Sequence, residues 1–371
     1  MRFFSFLTIL AGSAAVWGAN GGYMVYAGTY TGHGSRGIYA WRFDPATGKA
    51  QEIGLVAETE NPSFLAIHPS GKYVYAVNEV DKGKGAVTAF AIDASTGKLT
   101  KLNTVSSGGS GPCHLAVDRS GRALVTANYG NGSVGLISLR GDGTLGELVS
   151  RDQHTGTGPD KDRQEGPHAH SINFTPDGHF AVGADLGTDS LYVYHFDASG
   201  PELKRDDALT AKTAPGAGPR HFAFHPNGRY GYVINEMGST VTGYSYDGNG
   251  HLKMLDSVST LPSGFHGENS TAEVVVHPNG HTLYGSNRGH DSIAVFSIDT
   301  ATGKLTPHGQ VPTGGKEPRN FALDPTGQYL FAANQNSNTI VIFRVGADGG
   351  LQPAGQVLSC VSPVCVRFVP R

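Results

Sequence analysis

The chain is poor in cysteine, in basic clusters and in long apolar runs, and each shortage removes a class of protein. Three cysteines in 371 residues allow at most one bridge, so no disulfide framework holds the fold together. Cys360 and Cys365 are close enough in sequence to form that bridge in an exported protein. The equal alternative is three small buried thiols, and Cys113 stays unpaired either way. Lysine and arginine nowhere gather into a patch, and the net charge is −3 with a pI near 6.6. That argues against a nucleic-acid partner. No stretch carries a sustained helical apolar period. Phosphate-cradling glycine loops, zinc-type Cys/His spacings and a Gly-x-Ser-x-Gly elbow are missing as well.

The one long uncharged, mostly apolar run follows Arg2, from Phe3 to Trp17, and Val16-Trp17-Gly18 fits the small-residue rule for signal cleavage. Residues 1–19 are therefore expected to be a secretory signal peptide, with residues 20–371 as the mature chain, secreted or periplasmic. The run is short for a transmembrane helix and nothing like it recurs, so no membrane span remains once it is removed.

What the chain has in abundance is glycine and repetition. Its 53 glycines are about twice the average share. One phrase returns six times: an apolar strand, a turn ending in glycine, usually Pro-x-Gly, and a second strand closing on a polar pair. The turn glycines are Gly71, Gly121, Gly178, Gly228, Gly280 and Gly327, at steps of 50, 57, 50, 52 and 47 residues. A period this long, with several strands per unit, predicts a β-propeller, and a ring of mutually buried blades overrides the multi-domain expectation from length. Each repeat divides into four short strands. Tyr23–Thr29, Gly37–Phe43 and Ala50–Val56 form a remainder that lacks an inner strand, and Val364–Pro370 matches the missing one. The expected fold is all-β, a seven-bladed propeller of four-stranded blades closed by a C-terminal strand joining the N-terminal blade.

This geometry selects a rim. Residues just before each inner strand and residues ending each second strand must meet at one mouth of the channel. The first set, six before the turn proline or its equivalent, is Ser63, Cys113, His170, Arg220, Ala272, Arg319 and Val364. The second set pairs Asn78-Glu79, Asn128-Tyr129, Asp185-Leu186, Asn235-Glu236, Asn287-Arg288 and Asn334-Gln335, with Thr29-Tyr30 in the closing blade. Symmetry explains the asparagines as turn caps; it does not explain arginines and glutamates that differ between blades. His170, Arg220, Glu236 and Arg288 are the catalytic candidates: an imidazole to take a proton, two guanidiniums for an anion or oxyanion, and a carboxylate as orienter, base or ion-pair partner. Arg319, Glu79, Asn128, Tyr129, Asp185 and His168 are candidate substrate contacts. His114 and His221 are expected to pack between blades, and the polar loop from Thr155 to Gly166 to act as a lid or a wet surface. Cys113 beside His114 offers a thiol, but no orienting group for it is apparent.

Six segments then carry a resemblance. Gly28-Thr-Tyr-Thr31, Asn61-Pro-Ser-Phe-Leu-Ala-Ile-His-Pro69, Arg163-Gln-Glu-Gly-Pro-His-Ala-His170, Gly218-Pro-Arg-His221, Val233-Ile-Asn-Glu236 and Ser286-Asn-Arg-Gly-His-Asp-Ser292 occur in this order. Together they resemble the seven-bladed propeller lactonase family, which includes propeller-type 6-phosphogluconolactonase and the fungal carboxy-cis,cis-muconate cyclase. The resemblance runs from about Tyr23 to Phe368. It implies that His170, Arg220, Arg288 and Glu236 are the active-site groups of a carboxylic-ester hydrolase opening a sugar-acid lactone, with an anionic small molecule as substrate and no cofactor. Export departs from the cytosolic setting that a phosphogluconolactone implies. Two alternatives differ in chemistry: a lactonase using Ca²⁺ held by Glu79, Asp185 and the asparagines, and a non-enzymatic binding or cell-surface propeller.

Overall fold

The structure, a computed structural model, describes residues 21–32 and 34–371. The expected signal peptide at residues 1–19 lies outside the described residues. Seven antiparallel sheets are present, six of four strands and one of five. We number the blades by their inner strands: Leu65–Ile67 (blade 1), Pro112–Val117 (2), Ala169–Phe174 (3), Pro219–Phe224 (4), Ser270–Val276 (5), Pro318–Leu323 (6) and Pro363–Pro370 (7). Each inner strand touches the inner strand of the next blade, and blade 7 touches blade 1, so the ring is continuous.

The closure is as the sequence predicts. Pro363–Pro370 pairs antiparallel with Tyr23–Thr29, from Tyr23 opposite Pro370 to Gly28 opposite Cys365, and the register then slips by one so that Thr29 faces Pro363. Phe368 packs edge-on against Phe331 of blade 6 at 5.0 Å, so the terminal strand buries apolar surface as well as pairing backbone. Cys113, Cys360 and Cys365 are all free and buried. Cys360 and Cys365 are not bridged: Cys360 packs in the core of blades 6 and 7, while Cys365 faces blade 1, where its sulfur meets the Leu65 N–H at 3.4 Å.

Repeated residues hold repeated joints. The six turn glycines have φ between 69° and 78°, a left-handed conformation that only glycine takes without strain. The histidine opening three of these turns reaches the next blade: His68, His225 and His277 Nε2 lie 3.2, 2.8 and 2.9 Å from the carbonyls of Gly121, Gly280 and Gly327. Buried tyrosines do the same further out, with Tyr26, Tyr75, Tyr232 and Tyr284 donating to glycine carbonyls of the next blade at 2.7–3.0 Å. Blade 3 departs from the pattern. Its outer edge is split into Glu202–Arg205 and Ala211–Lys212, and the loop before its inner strand accounts for the longest repeat step.

Candidate active site

The rim is built on a backbone irregularity shared by five of the blades. Along the inner strands the ladder skips one residue at the rim: Pro112 and His114 are paired but Cys113 is not, and likewise His170, Arg220, Arg319 and Val364 fall in register shifts. A β-bulge of this kind bends the strand and re-aims the extra side chain. Here it turns the extra residue toward the channel. Cys113, His170, Arg220, Arg319 and Val364 accordingly line one narrow pocket, together with Ser63, Tyr30, Glu79, Phe64 and His221.

Glu236 is the centre of charge. It follows the strand Tyr230–Asn235, and its Oε2 accepts from Arg220 Nε at 2.9 Å and pairs with Arg288 Nη2 at 2.8 Å. Its Oε1 accepts from Arg163 Nη2 at 2.6 Å, and His170 Nε2 lies 3.9 Å from Oε2. Burial alone would push this carboxyl up, but Arg288 and Arg220 outweigh it and hold it well below the usual carboxylate range. Burial, reinforced by Arg220, holds the His170 imidazole well below its ordinary value, so it is neutral at neutral pH. Burial and the neighbouring Arg288 bring Arg220 down to about 10, which leaves it a cation there. Arg288 also donates to the Thr271 carbonyl at 2.7 Å, while its buried Nε has no partner.

A second polar group completes the pocket. Tyr30 donates to Glu79 at 2.9 Å, Ser63 bonds the same carboxylate, and Arg319 Nη2 donates to the Tyr30 hydroxyl at 3.0 Å. Cys113 lies 3.6 Å from His170 Nδ1, but burial pushes its thiol far up, so no thiolate nucleophile is available.

The structure thus brings His170, Arg220 and Arg288 together around Glu236, and His170 and Arg220 line the pocket with Arg319 and Glu79. Tyr129 joins them at the edge, its ring 5.3 Å from His170 and its hydroxyl 3.4 Å from Arg163. His168 stacks on Tyr129 at 4.4 Å and faces Glu165, so it borders the site without meeting Glu236. Two expectations need correction. Asn128 and Asp185 have no exposed surface. Asn128 donates to Ser107 and Ser133, while Asp185 caps a turn at Thr188 and pairs with buried His154 at 2.6 Å. Both bond to nearby backbone and side chains at a strand-end position that is buried in Asn235, Asn287 and Asn334 as well. His114 and His221 reach the next blade as expected, at the Ile172 N–H (3.4 Å) and Glu273 (2.9 Å), and both also lie against Phe64, 5.3 Å apart. The acids of the Ca²⁺ alternative do not converge. Asp185 is inside blade 3, and among the described residues no three His, Cys, Asp or Glu side chains are grouped to hold one ion.

Arg163 is the residue that sequence reasoning missed. It sits on the polar loop before blade 3, pinned there by Gln164, whose amide donates to Leu186 O and Asp189 Oδ1 at 2.8 and 2.9 Å. The Arg163-to-His170 segment contained the signal, but a loop has no strand register from which its reach can be read.

Comparison with known proteins agrees with this geometry. The family description "Lactonase, 7-bladed beta-propeller" matches residues 24–368. A 6-phosphogluconolactonase of Bacillus subtilis is 38% identical over 94% of this chain and 98% of its own. A solved structure of a putative 6-phosphogluconolactonase from Bacteroides fragilis superposes with a TM-score of 0.89 at 37% identity, covering 94% of this chain and 98% of that one. The periplasmic gluconolactonase PpgL of Pseudomonas aeruginosa has the same TM-score at 32% identity, covering 94% and 99%. By sequence, blade architecture and residue range alike, this chain belongs to the seven-bladed β-propeller lactonase family.

Proposed function

We propose that the protein is an exported lactonase that opens a sugar-acid lactone bearing an anionic substituent. The observation that carries this reading is the convergence of three guanidiniums and a neutral imidazole on one buried carboxylate. Three arginines pair with Glu236 and one of them, Arg288, also meets Glu317 at 3.7 Å, and the remaining excess of positive charge suits a phosphate or carboxylate on the substrate. The side chain of Arg163 is 42% exposed against 3% for Arg220 and 7% for Arg288. Arg163 is therefore the cation free to exchange Glu236 for the substrate's anion, while the other two stay fixed.

The chemistry follows from which groups are open. A carboxylate paired with three arginines is a poor base, so Glu236 orients and His170 acts. Neutral His170 Nε2 takes a proton from water as the oxygen bonds to the lactone carbonyl carbon. The carbonyl oxygen becomes an oxyanion beside Arg220 and Arg288, where preorganised donors act at the moment charge develops. Collapse breaks the ring C–O bond, and the departing oxygen recovers the proton from the imidazolium. Glu236, 3.9 Å from Nε2, steadies that imidazolium in the interval.

The reading needs no metal, so turnover should survive thorough chelation. Export is supported by the apolar run after Arg2 and by the periplasmic relative in Pseudomonas aeruginosa. N-terminal sequencing of protein recovered outside the cytoplasm tests it. The activity test is a panel of phosphorylated and plain sugar δ-lactones, corrected for spontaneous opening, on the chain without residues 1–19. Enzyme-dependent opening, faster for the phosphorylated lactone, is expected; no turnover on any member overturns the proposal.

A further inference from the structure

Beneath the arginine cluster lies a second polar layer that the proposed chemistry does not use. It comprises His221, Glu273 and Asn320, all buried, from three successive inner strands. Hydrogen-bond polarity can be followed through it atom by atom. The Val366 N–H, on the closing strand, donates to Asn320 Oδ1 at 2.8 Å. A backbone N–H can only donate, so the Asn320 amide is oriented and its Nδ2 donates onward to Glu273 Oε2. The other Glu273 oxygen receives the Val274 N–H at 3.0 Å and lies 2.9 Å from His221 Nδ1. A carboxylate only accepts, so Nδ1 carries the proton. His221 Nε2 is then a bare lone pair, 3.2 Å from Arg220 Nη1, which must donate to it.

Arg220 is thereby held by three acceptors of fixed direction: Glu236 at 2.9 Å, the Ala272 carbonyl at 2.7 Å and His221. We infer that Glu273, acting through the tautomer of His221, is a positioning residue for Arg220. The belt starts at the closing strand in blade 7, passes through blades 6 and 5, and ends on a guanidinium in blade 4. Reversing the His221 tautomer would set one N–H against another and turn Arg220 away from the developing oxyanion. Burial keeps the His221 imidazole below its ordinary value, so a second proton does not disturb the arrangement.

The inference uses the lactonase reading only for its kinetic readout. Glu273→Gln is nearly isosteric but cannot accept from both Asn320 Nδ2 and His221 Nδ1. It is expected to lower kcat by about tenfold to 10², the scale of a misplaced catalytic group, with a smaller change in KM. His221→Gln keeps a donor toward Glu273 and an acceptor toward Arg220, and should lose less kcat than the shorter His221→Asn. In an Arg220→Ala background Glu273→Gln should cost nothing further, because the coupling has lost its target. Equal losses in both backgrounds, or His221→Gln failing as badly as His221→Asn, would overturn the assignment. Nitrogen-15 NMR of the wild-type protein supplies a test independent of turnover. A His221 signal with Nδ1 protonated and Nε2 bare is expected, and the opposite tautomer refutes the belt even if no lactone is opened. Absent turnover with the expected tautomer would instead fault the functional reading alone.

Discussion

The two ends of each inner strand follow opposite rules. At the turn end the residues repeat: His68, His225 and His277 each bond the turn carbonyl of the next blade. At the rim end the equivalent positions are Ser63, Cys113, His170, Arg220, Ala272, Arg319 and Val364, no two neighbours alike. A joint between blades has the same geometry at every step, so one residue solves it repeatedly. A substrate is not seven-fold symmetric, so its site must break the repeat. Residues that return with the period are holding the ring, and residues that depart from it at the rim are candidates for chemistry.

Removing residues 362–371 gives the most severe test of that contrast. It deletes the strand that pairs with Tyr23–Thr29 and takes Cys365, Val366 and Val369 out of the core. Both ends of the channel should fail together, with loss of a single cooperative thermal transition. A truncated chain that melts like the full one would mean that the ring does not depend on its closure.

Next in size is Arg288→Ala. It removes a rim cation bonded to Glu236 and the Thr271 carbonyl. We expect kcat/KM on an anionic lactone to fall by about 10² or more, with the melting temperature little changed. Unchanged kcat/KM would take Arg288 out of the mechanism.

The pH profile sharpens the assignment of His170. Burial and Arg220 hold its imidazole well below the ordinary 6.5, so the neutral base persists as the solution is acidified. kcat/KM should therefore stay level as pH falls through 6.5 and decline only at more acid values. An acid limb with its midpoint at or above 6.5 would argue against His170 as the base.

The smallest effect belongs to the turn end. His277→Ala loses the contact to Gly327 O at 2.9 Å and the bond from Asn279 N at 3.1 Å. A cost of roughly 1–3 kcal/mol in unfolding free energy is expected, at about 1 kcal/mol per bond, with kcat unchanged. A tenfold loss of kcat at intact stability would erase the distinction between the two ends.

Much of this was legible in the chain. The period and the turn glycines predict the blades, and the unmatched Val364–Pro370 segment predicts how they close. Alignment on the turns singles out His170, Arg220, Glu236 and Arg288 before any coordinate is known. It also overreached at one aligned position. Asp185 and Asn128 share it with Asn235, Asn287 and Asn334, and all five side chains are buried. Alignment gives a residue's height along a strand, not the direction of its side chain.

By itself, then, the sequence determined the number of blades, the closure and the identity of the central catalytic candidates, because these follow from local patterns that repeat or conspicuously fail to. Tertiary structure alone decided that bulges turn the rim residues inward, that Arg163 reaches Glu236 from a loop 73 positions away in sequence, and that a polarised belt crosses four blades to grip Arg220. Those outcomes depend on contacts between segments remote in the chain, where packing and hydrogen-bond direction, not local propensity, select one arrangement.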